Sequence, residues 1–506
     1  MHTPNLDRLC REGCYFERAY TPNPVCIPAR HNVLTGLPAR FHGYAANFGH
    51  PLDHHLPTLP RLLADNGYDT RAIGKMHFRP VRRHSGFAKM ELMEEIPKFR
   101  EDDEYAMYLK DVGLGHIQNI HGVRNLLYMV PQRSLIPEEH HGSTWVGDRS
   151  VEYIRGNGGK RPFFLWCGWI APHPPFDVPD TFTDLYADAD LPEPHVSETP
   201  LSPAASTHWR YANVPAANQR EHVRRMRELY YSAVSMVDKN VGKILSALEE
   251  IGELDNTLII YTSDHGELLG DHGCFQKMQA YDSCARVPFL VRYPARVKPG
   301  TVRTEFADLN DILPTILDVA GVDYPGPHEL PGASIFDDRK DRTTQYMEYG
   351  TGKHRWIALR DDRYKYVYHY AGPYEQLFDM LEDPTESTDL LHNGAASPAN
   401  SAIRDRLKAA LLRHEQQWGL EGHTTEDGFV PFGEFERPTG RNGQFPIFPD
   451  NIADPAERAA MNSFGDEVLD AVRDEPLIKL HGLDLDGWQA NGAAADLIER
   501  IRREQL

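Results

Sequence analysis

The chain is poor in cysteine. Six residues, at 10, 14, 26, 167, 274 and 284, are too few and too scattered to staple 506 residues, so a disulfide framework is not what holds it together. Cys10 and Cys14 lie four apart on a predicted helix, a spacing that suits a metal pair, but no matching second pair stands elsewhere. No run of about 18 apolar residues occurs, so no membrane-spanning helix is expected. The longest apolar stretch, FFLWCGWIA at 163–171, is strand-sized. The opening MHTPNLDRLCREG lacks the basic-then-apolar order of a signal peptide. As written, the chain is expected in the cytoplasm, or in the periplasm or outside the cell if a longer N-terminus exists. Basic residues number 54 against 74 acidic ones, a net charge of −20, which argues against a nucleic-acid binder with a basic face. A local cluster of cations can still hold an anionic substrate within a cleft.

What is present is a soluble globular composition and a length that suggests several domains. Helix and strand signals alternate from residue 1 to about residue 320. Thr3-Pro4 opens a helix that Gly13 stops, and LPTLPRLLADNGYDTRAIGK repeats this grammar around Gly67. FFLWCG reads as a strand buried on both faces, as in a parallel sheet. Residues 221–251 carry apolar side chains at three-and-four spacing and form the clearest long helix. Further strands are read in NTLIIYTSDHG and RVPFLVRYP. The alternation predicts an α/β fold, with a large, mostly parallel central sheet flanked by helices. From about residue 336 the grammar changes. RWIALRDDRYKYVYHY is a hairpin around Asp361-Asp362. We therefore expect a catalytic α/β domain over 1–335, a smaller C-terminal α+β domain over 336–420, and an extension over 421–506 that wraps the body. Residues 79–150 and 177–220 read as irregular insertions of the kind that rim active sites.

Three predicted strands end in polar clusters: GKMH at 74–77, APHPPF at 171–176 and SDHG at 263–266. Ligands of open parallel sheets sit beyond the carboxyl ends of strands, so Lys75, His77, His173, Asp264 and His265 are expected along one edge. Each histidine alone reads as an ordinary surface residue; three coinciding clusters weaken that reading. Asp264-His265 offers an oxygen and a nitrogen to a metal, though one such pair cannot hold it alone. Lys277 adds a cation soon after. Such a site suits a tetrahedral anion whose charge develops on oxygen during transfer.

The stretch PVCIPARHNVLTG at 24–36 places a cysteine between prolines. A tyrosine-phosphatase loop needs an arginine six residues after the cysteine, but Asn32 is there. Nothing local supports a thiol protease. Cys26-x-Pro28-x-Arg30, followed by Leu34-Thr35-Gly36, resembles the signature of the formylglycine-dependent sulfatases, of the alkaline phosphatase superfamily. The resemblance extends over most of residues 1–390 through GKMH, PHPPF, SDHGELLGDHGCFQK and EQLFDMLEDPTESTDL. It implies that a maturation enzyme, the formylglycine-generating enzyme, converts Cys26 to formylglycine, whose hydrate binds the metal and attacks sulfur. Arg30 and Lys75 would hold that hydrate, and His77 would take its remaining proton so that sulfate leaves. His173 and Lys277 would bind sulfate oxygens and assist the departing alcohol. Asp264 and His265 would bind the metal, calcium by family habit, with manganese and magnesium as alternatives. The substrate would be a small-molecule or carbohydrate sulfate ester. Asn47 stands where the related phosphonate monoester hydrolases have a substrate-binding asparagine, and it also reads as a plain turn residue in AANFG.

The sequence departs from the family in one respect. A buried strand ending in two carboxylates, or in Asp followed by Gln, normally precedes this region, and those metal ligands are absent. Relatives often read Val-His-Thr-Pro-Asn where this chain reads Met1-His2-Thr3-Pro4-Asn5. A GTG codon taken as a start would turn that valine into methionine, so a truncated reading of a longer gene is expected. Its loss would expose apolar neighbours and unpaired strand edges. Two alternatives stand beside the sulfatase reading. One is a phosphonate monoester or phosphodiester hydrolase using the same aldehyde. The other is a catalytically incomplete homologue that binds anionic glycans.

Overall fold

The computed structural model describes residues 1–49, 51–124, 127–206, 219–337, 342–392, 397–436 and 451–473, with residues 495, 498 and 499. Much of the expected C-terminal extension therefore lies outside the described residues. The strands, in chain order, are β1 Cys14–Tyr20, β2 Asp69–Gly74, β3 Lys89–Leu92, β4 Gln132–Arg133, β5 Phe163–Gly168, β6 Asp177–Val178, β7 Ile259–Thr262, β8 Phe289–Arg292, β9 Thr301–Asp308, β10 Gln345–Tyr349, β11 Trp356–Arg360, β12 Tyr364–His369 and β13 Tyr374–Asp379.

The fold is α/β with helices packed on its sheets, as the alternating signals predicted. Its main strands fall into two groups. One sheet has the order β3-β2-β5 and is parallel throughout. The other has the order β7-β8-β1-β9, with β1 and β9 parallel and both β8 pairings antiparallel. Among the described residues no strand pairs with the second edge of β5 or of β7. This corrects one expectation. FFLWCG reads as a strand buried on both faces, yet Phe163–Cys167 are only partly buried, as are all four residues of β7. Both strands nevertheless feed one apolar cluster, in which Phe163, Leu165, Ile259 and Tyr261 pack beneath Val237, Val241 and Leu245. Those three residues lie on the long helix Gln219–Glu250.

Local rules explain the ends of the elements. Pro4 starts the helix Pro4–Glu12, and Asp238 caps it from outside by accepting the backbone N–H of Asn5 and Leu6 at 3.0 and 2.7 Å. The helix stops before Cys14, which belongs to β1. Cys10 and Cys14 are thus on different elements, and among the described residues neither joins a cluster of metal-ligand type. Gly13 is required where it stands, since a Cβ there would lie 2.1 Å from the carbonyl oxygen of Val291.

The C-terminal sheet is antiparallel, in the order β10-β11-β12-β13. Asp361 sets the β11–β12 turn by accepting the backbone N–H of Arg363 and Tyr364. Leu407 and Leu411 of the helix Pro398–Trp418 pack on the sheet against Ile357, Leu359 and Leu377. The sheet also braces the other unit. Glu348 N–H donates to Pro22 O at 2.8 Å, and Asn23 Nδ2 donates to Glu348 O at 3.2 Å. These two contacts support the loop that leads into Cys26.

Candidate active site

After β1 the chain turns through Thr21–Val25 and enters the helix Cys26–Thr35, so Cys26 is its first residue. A helix start offers unpaired N–H groups and a positive field. Asn47 satisfies one of those groups: its Oδ1 accepts the N–H of Ile27 at 3.0 Å. Lys75 follows β2, His173 lies beyond β5, and Asp264-His265 lie beyond β7. The carboxyl ends of both sheets thus deliver side chains to Cys26.

The contacts are close. Cys26 Sγ lies 3.2 Å from His265 Nε2 and 3.9 Å from Lys75 Nζ. Arg30 Nε donates to Asp264 Oδ2 at 2.9 Å, and its Nη1 donates to Lys75 O at 2.6 Å, tying helix, β2 and β7 together. Lys277 Nζ donates to His173 Nε2 at 2.7 Å, while His173 Nδ1–H donates to Pro174 O at 2.6 Å. That pattern requires a neutral His173 ring, and burial, aided by Lys277, lowers its pKa to about 4.

Burial by itself pushes the Cys26 thiol up, but Lys75, Lys277 and His265 outweigh it and hold the thiol well below its ordinary range. The buried Cys14 and the partly buried Cys167 have no such cluster of cations. Burial raises Cys14 and Cys167 to about 11. Asp264 is lowered to about 2, since His265 and Arg30 overcome the cost of its burial. His265 is raised, with Asp264 and Cys26 overcoming desolvation.

The ligand-type atoms of Cys26, Asp264 and His265 all lie within 4.8 Å of one another. Sulfur, one carboxylate and one imidazole form a borderline-soft set, whereas calcium takes six to eight oxygens. An oxygen in place of the Cys26 sulfur would move the set toward a hard dication. Asp264 and His265 fit such an ion as part of a shell, with further oxygen donors needed to complete it.

His77 lies two residues after Lys75. It occupies a left-handed turn at φ 58°, and its backbone N–H donates to Glu94 at 2.9 Å. Its Nδ1 is buried without a hydrogen-bond partner, and among the described residues no hydrogen bond joins its ring to Cys26.

Sequence reasoning missed Glu94, Glu95 and Arg124. Glu94 accepts the N–H groups of Met76 and His77, fixing the Lys75–His77 turn. Glu95 Oε2 lies 2.7 Å from Lys75 Nζ, and its other oxygen pairs with Arg124. The glutamates follow β3 just as the recognised clusters follow β2, β5 and β7, but β3 lies within residues 79–150, which read from sequence as an irregular insertion, so they carried no visible signal. Arg124 carried none, because it comes from an irregular segment.

Lysines and histidines at the sheet ends, around a cysteine at a helix start and beside a metal-type cluster, make a site suited to a charged ester. Comparison with known proteins agrees. The sulfatase family model matches residues 1–322, and the model for the C-terminal part of N-sulphoglucosamine sulphohydrolase matches residues 270–417. The chain therefore belongs to the sulfatase family, whose members typically use a divalent metal and formylglycine. It is similar to an arylsulfatase of Clostridium perfringens, 30% identical over 84% of this chain and 91% of that one. It is also similar to a choline-sulfatase of Rhizobium meliloti, 30% identical over 83% of each chain. In fold it resembles a phosphonate monoester hydrolase from Silicibacter pomeroyi, with a TM-score of 0.70 at 24% identity over 84% of this chain and 94% of that one. No described helix is long and apolar enough to cross a membrane.

Proposed function

We propose that the protein hydrolyses a sulfate monoester to alcohol and sulfate through a formylglycine made from Cys26 by a maturation enzyme. The observation that carries this reading is the convergence of Lys75, Lys277, His173, Asp264 and His265 around a cysteine at a helix start. A hydrated aldehyde at residue 26 would use each of these groups. Its oxygen would meet Lys75 and the positive end of the helix, which stabilise it as an anion.

In this proposal Arg30 orients Asp264 and the Lys75 backbone, and Lys75 polarises the nucleophilic oxygen. Lys277 and His173 receive the sulfate oxygens. The Lys277 ammonium, hydrogen-bonded to the neutral His173 ring, is the proton source nearest a departing alkoxide. His77 takes the residual proton from the hydrate, which requires its ring to turn toward residue 26 once substrate is bound. A dication, calcium in this proposal, would be held by Asp264, His265 and the residue-26 oxygen; it would supply positive charge against the ester oxygens. The domain limits at 335 and 420 are kept as proposed boundaries, with the site wholly on the N-terminal side.

A second reading is a phosphonate monoester or phosphodiester hydrolase, with Asn47, whose Oδ1 accepts the Ile27 N–H next to residue 26, as a substrate-binding residue. Paired assays with an aryl sulfate and an aryl phosphonate monoester separate the two. The primary test is Cys26→Ala, together with the peptide mass at residue 26 after co-expression with the maturation enzyme. Turnover at the parental rate by the alanine variant, or an unaltered thiol in active protein, refutes the mechanism. Anion binding without any turnover by matured protein would favour the glycan-binding alternative.

A further inference from the structure

Glu95 puts a second carboxylate, besides that of Asp264, among the cations around Cys26. Its side chain is 9% exposed, and it is held by Lys75 at 2.7 Å, by Arg124, and by a 3.5 Å approach to His173 Nδ1. Lys75 Nζ is 3.9 Å from Cys26 Sγ, so the carboxylate acts within about 7 Å of the reacting position. Burial opposes its ionisation, but His173, Lys75 and Arg124 together hold the carboxyl well below the usual range. With His173 neutral, Lys75 and Arg124 are the lasting partners. Arg124 has other support, since its guanidinium sits 4.7 Å from the Tyr128 ring and donates to Pro174 O at 3.1 Å. Glu95 is therefore not needed merely to place Arg124.

Resting on the sulfate-ester reading above, we propose that Glu95 is a selectivity residue whose fixed charge makes the pocket prefer monoanionic esters over dianionic ones. A sulfate monoester and a phosphate monoester have the same tetrahedral shape, so sterics cannot separate them. They differ by one charge at neutral pH. Excess cation would favour the dianion; a carboxylate fixed beside the site penalises the additional charge. At an effective dielectric of about 20, a like charge about 7 Å away is worth on the order of tenfold to a hundredfold in binding.

The test measures binding of phenyl sulfate and phenyl phosphate by calorimetry at pH 8 in a Cys26→Ala background. The Glu95-intact protein is expected to bind phenyl sulfate about tenfold or more tighter than phenyl phosphate. Glu95→Gln should shrink that ratio by about tenfold or more, whereas Glu95→Asp, which keeps the charge, should hold it within about threefold. A measurement without any change at Glu95 guards against misfolding: phenyl phosphate should bind more tightly at pH 5, as a monoanion, than at pH 8, after correction by phenyl sulfate at both values. A ratio unmoved in Glu95→Gln, or a Glu95-intact protein that prefers the dianion, overturns the inference. If matured wild-type protein hydrolyses neither ester while the binding ratios shift as stated, the catalytic reading fails and the role of Glu95 stands.

Discussion

Arg355→Met should destabilise the protein strongly at pH 8 and less at pH 5. Arg355 has no side-chain exposure and pairs with Glu415 and Glu348, both at 2.8 Å, themselves 0% and 1% exposed. Tyr346 and Tyr370 add hydroxyl donors to Glu415. Removing the guanidinium leaves two carboxylates buried without their cation, and breaking one partner of such a pair costs about 3–5 kcal/mol. For 506 residues melting together, that corresponds to a fall in Tm of about 3–5 °C. In the parent, Arg355 and its hydrogen bonds hold Glu415 low against burial, while burial and Glu415 leave Glu348 raised. Without Arg355, burial dominates and both folded-state values rise above the unfolded ones. Groups raised in this way bind protons more tightly when folded, so their contribution to stability is lost as pH rises through the folded values. The gap between parent and variant should thus widen from pH 5 to pH 8. Thermal melts and urea titrations at both values measure it. A loss below about 1 kcal/mol at pH 8, or one that does not shrink on acidification, refutes the reasoning. The triple change Arg355→Met, Glu348→Gln, Glu415→Gln should recover much of the loss. Because Glu348 also braces Pro22 and Asn23, the single variant should lose activity at temperatures below its global melt.

Matured protein should gain about 2.7 kcal/mol from a divalent ion at a hundred times its dissociation constant; Asp264→Asn should abolish the associated rise in Tm, and a rise unaffected by that change would place the ion elsewhere. Asp177, with one oxygen buried and unbonded and its carboxyl pushed up by burial to about 8, should weaken the fold as pH rises from about 4 through 8. Asp177→Asn should be stabilised relative to the parent above pH 8, as read by melts across pH 5–9, and equal pH slopes would contradict it. Cys26→Ala should leave the melting curve nearly intact while removing ester hydrolysis, since the thiol is a small buried group; joint loss of both would make it structural.

Much of the fold was legible because helix caps and apolar periodicity are local. Pro4 and Gly13 bounded the first helix correctly, and Asp361-Asp362 marked the hairpin that β11 and β12 form. The strand FFLWCG was located from its apolarity, but its exposure was not, because burial depends on what pairs with each edge. Lys75, His173, Asp264 and His265 could be read from polar clusters at strand ends. That Asn47 accepts the Ile27 N–H was not legible in the sequence, since the two are 20 residues apart. His77 shared a motif with Lys75, and the structure adds that Glu94 holds its backbone in a left-handed turn.

The alternation of elements and the family signature were set by the sequence alone, since each depends on residues close along the chain; that a helix begins at Cys26 emerged only from the structure. The charge state of Cys26, the neutral ring of His173, the pairing of Lys75 with Glu95 and the bracing of the nucleophile loop by Glu348 were decided by tertiary structure. Each depends on burial and on groups from 20 to 325 residues apart, and electrostatic energy follows distance in space and local polarisability rather than position in the chain.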